Sequence, residues 1–446
     1  MHVRTLALEG FSLVRFKRLA KEILWVGAGQ ATAALGGLAG LSLLTRALDP
    51  GRYGELALGM TVASLTQQAI LGPVSGALLR FFAPAAEARQ LEAYLKGARN
   101  LTIRATAVLW SVGALLALAL WALGQVKWIA LLITALLFSL LAGYNSALDG
   151  VQNAARQRAV VAWHQGVGQW LRFLLAVALI GALGAFSSVA MLGYAVASAL
   201  VLASQTIFFR RRILASVPAS SCDQGGQIEN WTRQMRQYAW PFTFWGVFTW
   251  AQMASDRWAL QVCGSASTVG LYAALYQLGY YPMLLLSGFM LQLVTPVLFG
   301  RAGDGTDPAR MVQSLRLNGL IFRGSILLTA LSTVVALLFH QQIFSLLVAP
   351  EYRRVSSFLP WMILGGGLFA AAQIAGLSLL CDVNSRVLLA PKIITAVLGV
   401  VLNFAGAHWF GLAGVVYGGL LFSLTYLAWV FALAKRHRVG AGQSNC

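Results

Sequence analysis

The chain has 446 residues, of which 58% are apolar and only 11% charged, with a formal net charge of +19 and a mean hydropathy of +0.71. A water-soluble domain carries roughly 25% charged residues. A soluble enzyme of this size is therefore excluded, and the basic surplus has to be read by position before it can speak for any partner.

Residues 1–22 are too polar for a signal sequence core, and the cleavage-like Ala31-Thr32-Ala33 lies inside the first apolar block, so no cleaved leader is expected. Within this tail, Phe11 to Leu19 alternates large apolar with basic residues at helical spacing, which suits a helix lying among lipid headgroups. Apolar blocks then follow at Ile23–Leu44, Gly54–Leu79, Ala105–Leu123, Trp128–Leu148, Ala159–Ile180 and Val189–Phe209. A second group runs Trp240–Val262, Val269–Leu298, Leu320–Phe339, Phe358–Leu380, Ile393–Phe410 and Leu412–Leu433. Each is about 20 residues long, the length of a membrane-crossing helix, so an all-α integral membrane protein of twelve transmembrane helices is predicted.

The expected organisation is a cytoplasmic tail (1–22), a six-helix lobe (23–209), a cytoplasmic linker (210–239), a second six-helix lobe (240–433) and a cytoplasmic tail (434–446). A weak internal repeat supports it: Tyr53-Gly54 and a long apolar run to Arg80 are echoed by Val269-Gly270 and a similar run to Pro296. Copies six spans apart share one orientation, and two lobes around a central cavity follow from that symmetry. The cysteines Cys222, Cys263, Cys381 and Cys446 share no metal spacing, so neither a metal, a cofactor nor a disulfide is expected.

On this topology 26 of the 33 Lys and Arg fall on the side of the two termini, and only Arg46, Arg52, Lys127, Arg353 and Arg354 on the other. The positive-inside rule then places both termini in the cytoplasm, and Trp121, Trp128, Trp258 and Trp409 fit an interfacial belt. The charge surplus records orientation rather than nucleic acid. Two basic residues remain inside apolar blocks, Arg172 and Arg257.

Charge at the bilayer centre costs roughly 2.5–3.5 kcal/mol and is kept facing protein or water. Arg172 lies about 20 Å into its helix, with His164 and Gly168 on the same face and Gln165 and Gln169 alongside. A polar stripe lining a wet cavity and a structural pairing with a neighbouring helix both explain it. Asp256 and Arg257 lie in the outer half of the seventh span, where Thr249, Gln252 and Asp256 share a face. Asp256 is the candidate for ion coupling, with a structural ion pair as the equal alternative. Thr61, Ser64, Gln68, Gly72 and Ser75 form a polar face ending at Arg80, and Tyr272, Tyr276 and Tyr280 recur every fourth residue beside Gln277 and Tyr281. That tyrosine face can stack on sugars or simply pack between helices. Gly36 and Gly40, and the run Gly365-Gly366-Gly367, allow close helix packing.

Buried Arg with polar amides and few carboxylates suits an anionic, hydroxyl-rich solute, because guanidinium forks match phosphate oxygens. No P-loop sequence is present, so ATP hydrolysis of that kind is not expected.

Several short motifs carry a family resemblance. They are Leu44-Thr45-Arg46-Ala47-Leu48-Asp49-Pro50-Gly51-Arg52-Tyr53-Gly54, Asp256-Arg257-Trp258 followed by Val269-Gly270-Leu271-Tyr272, Pro350-Glu351-Tyr352-Arg353, and Leu402-Asn403 leading to Phe410-Gly411-Leu412-Ala413-Gly414. In this order the chain resembles the O-antigen-type polysaccharide flippases of the multidrug/oligosaccharidyl-lipid/polysaccharide (MOP) exporter superfamily. The resemblance implies a MATE-like fold, alternating access, and export of an undecaprenyl-diphosphate-linked oligosaccharide across a bacterial inner membrane. It also implies diphosphate-holding cations, a role carried to Arg172 and then to Arg46, Arg80 and Arg257. His164, Gln169, Gln68, Tyr276 and Gln277 complete the expected cavity set, with Asp256 for ion coupling. Membrane lipid, a polysaccharide polymerase and a chain-length regulator are the candidate partners. Twelve spans rather than the fourteen of lipid II flippases argue against a peptidoglycan precursor.

The alternatives are a drug/cation antiporter on the same fold, which needs more cavity acids, and a membrane glycosyltransferase, polymerase or ligase. Asp49 and Glu55 superficially resemble the carboxylates of such enzymes, but every outer connection is short. A scaffold role would leave the polar stripes unexplained.

Overall fold

The structure, a computed structural model, describes residues 27, 29, 31–155, 157–212, 225–302, 308–381 and 389–443. The proposed headgroup-layer helix at Phe11–Leu19, as well as Cys222 and Cys446, lies outside them. Every regular element among the described residues is helical. Besides the 3-10 helices Val126–Trp128 and Pro350–Phe358, the helices in chain order are α1 (31–47), α2 (Pro50–Glu87), α3 (Leu91–Ala122), α4 (Ile129–Ala154), α5 (Arg158–Leu183) and α6 (Ser187–Arg212). They are followed by α7 (Gly225–Cys263), α8 (Ala266–Leu278), α9 (Tyr280–Ala302), α10 (Pro308–Leu347), α11 (Leu359–Cys381) and α12 (Leu389–Gln443).

Eight stretches among the described residues are long and apolar enough to cross a membrane. The long stretch Ile393–Leu433 takes in two of the blocks read from sequence. At Gly411 φ is 59°, a left-handed conformation that breaks the helix. A Cβ on Gly406 or on Gly414 would run into the other residue's carbonyl, whereas in a straight helix residues eight apart lie about 12 Å from each other. The chain therefore folds back at Gly411, and α12 is two antiparallel arms. Within the seventh block α7 carries Asp256 and Arg257, and within the eighth Gly279 separates α8 from α9. Leu115, Leu118 and Trp121 on α3, and Leu327, Leu331 and Leu338 on α10, are exposed. Apolar surface of that extent needs lipid around it, and the chain is a multi-pass membrane protein.

The described residues divide into two compact units. The first takes those within Met1–Gly37, Ala63–Leu179 and Met191–Gly246; the second takes those within Leu38–Val62, Ile180–Ala190 and Val247–Cys446.

In the first unit, α2 contains a π-turn at Gln67–Leu71, and Gly246 of α7 lies so close that a Cβ would meet the Gln68 backbone. The polar half of the expected linker is helical from residue 225 and forms the start of α7. Its Trp231 and Met235 pack with Tyr94, Phe81 and Phe82 in one cluster. The Tyr94 hydroxyl donates to the Leu78 carbonyl (2.5 Å), and Trp231 Nε1 donates to Gln90 Oε1 (3.1 Å).

In the second unit, Asp49 caps α2 by accepting from the backbone N–H groups of Gly51 (2.8 Å) and Arg52 (3.1 Å), with Pro50 at the first helical position. Arg52 donates to the Ala185 carbonyl and lies 4.5 Å over the Phe186 ring. Ser187 donates to Glu55 at 2.8 Å. Tyr352 donates to the Leu48 carbonyl at 2.9 Å and meets Tyr53 edge-on at 5.8 Å. The Asp49-Pro50-Gly51-Arg52 and Pro350-Glu351-Tyr352 motifs thus meet in one packed corner.

Candidate functional site

The second unit builds a charged, aromatic cluster on α7 and α8. Adjacent helical residues point about 100° apart, yet Asp256 and Arg257 do pair. The aspartate turns back along its own helix, accepts from the Arg257 backbone N–H (2.6 Å), and takes the Arg257 Nη1 at 3.1 Å on Oδ1 and 3.4 Å on Oδ2. Tyr272 donates to Oδ2 at 2.8 Å. Asp256 is buried, 7% exposed, so both of its oxygens are engaged where water is scarce. The Arg257 guanidinium lies 4.4 Å over Tyr276 and 6.0 Å over Tyr272. Tyr276 in turn stacks on Tyr280 at 5.1 Å and 19°. Next to this pair, Ser255 accepts from Asn403 Nδ2 (2.8 Å). Trp258 Nε1 donates to Thr61 Oγ1 (3.0 Å) and Trp250 Nε1 to the Thr61 carbonyl (2.7 Å). Gln277 follows Tyr276 half-buried.

The first unit holds Arg172 and the amide stripe on α5. Arg172 is half-buried, and its guanidinium lies 4.9 Å over Phe138 of α4 and 5.7 Å over Tyr194 of α6. Cation–π contact of this sort attracts the guanidinium to the ring faces, more strongly where water is excluded. His164, about 12 Å away along α5, is buried; its Nδ1 meets the Val160 carbonyl at 2.8 Å and its Nε2 meets Ser204 Oγ at 3.1 Å. Gln169 is half-buried against the position of Gly36. Gln68 occupies the π-turn of α2. Arg80 and Arg46 are both exposed, near the end of α2 and at the end of α1 respectively.

The structure thus brings Asp256, Arg257 and Tyr276 into one cluster, and sets Arg172 on two rings. One group escaped the sequence reading. Asp149, one residue beyond the fourth apolar block, accepts from Gln165 Nε2 (2.9 Å) and Gln205 Nε2 (2.5 Å), and Gln205 also donates to Gln152 Oε1 (3.0 Å). The signal was the spacing Asn145, Asp149, Gln152 on one helix face. Among the described residues no three His, Cys, Asp or Glu converge as a metal site.

No family model and no curated protein matches the chain. Solved structures do. The chain is similar to the lipid II flippase MurJ in an inward closed conformation, with a TM-score of 0.69 and 12% identity over 92% of this chain and 87% of that one. It is similar to an inward-facing multidrug resistance MATE family transporter of the MOP superfamily, with a TM-score of 0.62 and 14% identity over 93% of this chain and 95% of that one. A Vibrio cholerae MATE transporter, VcmN, aligns with a TM-score of 0.59 and 15% identity over 94% and 97%. The chain has the fold of these transporters and of this flippase.

Proposed function

We propose that the protein is a flippase carrying an undecaprenyl-diphosphate-linked oligosaccharide from the cytoplasmic to the periplasmic leaflet of a bacterial inner membrane. In this reading twelve spans form two six-helix lobes that alternate access, both termini are cytoplasmic, and basic side chains hold the diphosphate. Arg172 is the principal anion-binding group, with Arg46, Arg80 and Arg257 assisting. His164, Gln169, Gln68, Tyr276 and Gln277 line the path.

One observation carries the choice over a cation exporter. The acid expected to serve an organic cation, Asp256, has both oxygens taken by Arg257 and Tyr272, so it acts as a counter-ion rather than as a receptor. The fold, similar both to a lipid flippase and to MATE transporters, is compatible with either reading. An enzyme reading loses its candidate acids, since Asp49 caps α2 and pairs with Arg52 while Glu55 holds Ser187. The drug/cation antiporter keeps one supporting feature, the carboxylate of Asp149.

The test is a leaflet assay in liposomes containing the purified full chain and a polyprenyl-diphosphate oligosaccharide. Flipping by the wild type, lost in an Arg172→Ala variant that inserts normally, is the expected result. Transport of a fluorescent organic cation in place of the lipid, or full flipping by Arg172→Ala, overturns the reading.

A further inference from the structure

We propose that Asp149, caged by the amides of Gln165 and Gln205 with Gln152 behind them, is a proton-binding site in the first compact unit. The carboxylate sits on α4 where α5 and α6 close on it, and it is half-buried. Among the described residues no Lys or Arg stands within ion-pair distance of it. Among the described residues its hydrogen-bond donors are neutral amides, Gln165 Nε2 at 2.9 Å and Gln205 Nε2 at 2.5 Å, with the His164 ring nearby. The groups facing it are His164 and Gln165 from α5, Gln205 and Ser204 from α6, and Gln152 from its own helix; α2 packs alongside at Gly150 with Ser75. Of these His164 alone is titratable.

Gln152 and Gln205 are fully buried, at 0% exposure, yet Gln205 Oε1 and Gln152 Nε2 have no hydrogen-bond partner. With those atoms unpartnered, nothing else fixes which way either amide faces. An amide can turn by half a revolution, and then Gln205 presents Oε1 to Asp149 and Gln152 presents Nε2 to Gln205. The first orientation solvates a carboxylate, the second a carboxylic acid. Gln165 is exposed, which gives the proton a way in. His164 is held beside the cage by two contacts, Nδ1–H donating to the Val160 carbonyl and Nε2 meeting Ser204 Oγ. Asp256, by contrast, is fixed by Arg257.

That the proton drives transport rests on the flippase reading above; that it binds does not. Acid-minus-alkaline infrared difference spectra of the reconstituted full chain should show a carboxylic-acid C=O band that Asp149→Asn removes, Asp149→Glu displaces and Asp256→Asn leaves in place. A wild type without the band, or an Asp149→Asn variant that keeps it, overturns the site. A pH gradient across liposomes holding the polyprenyl-diphosphate oligosaccharide should raise its flipping at least several-fold in the wild type and not in Asp149→Asn. Flipping indifferent to the gradient overturns the driving role; an intact band with no flipping at all leaves the proton site standing and strikes the flippase reading.

Discussion

Gly54 of α2 and Gly270 of α8 fit into each other. A Cβ on Gly54 would collide with the Ala266 carbonyl and the Gly270 nitrogen, and a Cβ on Gly270 with the Pro50 carbonyl and the Gly54 nitrogen. The two contact sets are reciprocal, as a local two-fold relation between the helix starts requires, and they involve the same positions that the sequence repeat pairs. Because the obstacles are backbone atoms, no side chain can swing aside. Gly54→Ala and Gly270→Ala should each destabilise the protein by about 1–3 kcal/mol, the range for overpacking. Gly76→Ala, where nothing lies within 4 Å, should not. Thermal unfolding in detergent checks this; a Gly54→Ala protein as stable as Gly76→Ala would show that the helices do not touch there.

That contact was half legible beforehand. The repeat of Tyr53-Gly54 and Val269-Gly270 could be read from sequence, and so could the intramembrane cations, because hydropathy and charge are properties of single residues. Partners are not. The rule of 100° per residue left it open whether Asp256 and Arg257 pair; a short side chain turning back on its own helix closes the gap. Asp149 was lost because the apolar block was ended at Leu148, and its cage draws on Gln165 and Gln205, which only tertiary packing brings near. The boundary between the last two apolar blocks was legible at Gly411, and its left-handed φ of 59° is the reversal between two arms.

The Asp256–Arg257 pair gives a prediction of coupling. With side chains only 9% and 14% exposed, removing one partner strands a buried charge, a loss of about 3–5 kcal/mol. Asp256→Asn and Arg257→Gln should each approach that loss, while the double variant should be less destabilised than the sum. A double-mutant cycle on unfolding temperature or denaturant midpoint measures the difference, and simple additivity would contradict the pairing.

Tyr352 should behave differently. Its side chain is fully buried and its hydroxyl donates to the Leu48 carbonyl at 2.9 Å. Tyr352→Phe keeps the edge-on contact with Tyr53 and leaves one carbonyl unsatisfied, at a cost of about 1–3 kcal/mol. Tyr352→Ala adds a cavity and should cost about 3–5 kcal/mol, the range for truncating a large aromatic. Equal stabilities for the two variants would mean that the hydroxyl, not the ring, holds this corner.

The last prediction separates placing Arg172 from its charge. The guanidinium rests on Phe138 and Tyr194, at 4.9 and 5.7 Å, and a planar cation on a ring is held in one orientation in a way that a flexible ammonium is not. If Arg172 grips a diphosphate through its fork, Arg172→Lys should insert normally and flip the lipid more slowly than wild type but faster than Arg172→Ala. Phe138→Leu keeps the charge and the bulk while removing one π face, a loss of about 0.5–2 kcal/mol of positioning. Its flipping rate should fall by roughly two- to thirty-fold, since each 1.4 kcal/mol is tenfold, with no change in membrane insertion. Rates measured in the liposome leaflet assay for all four proteins decide the matter: a Phe138→Leu protein as fast as wild type would show that the ring contact serves packing alone.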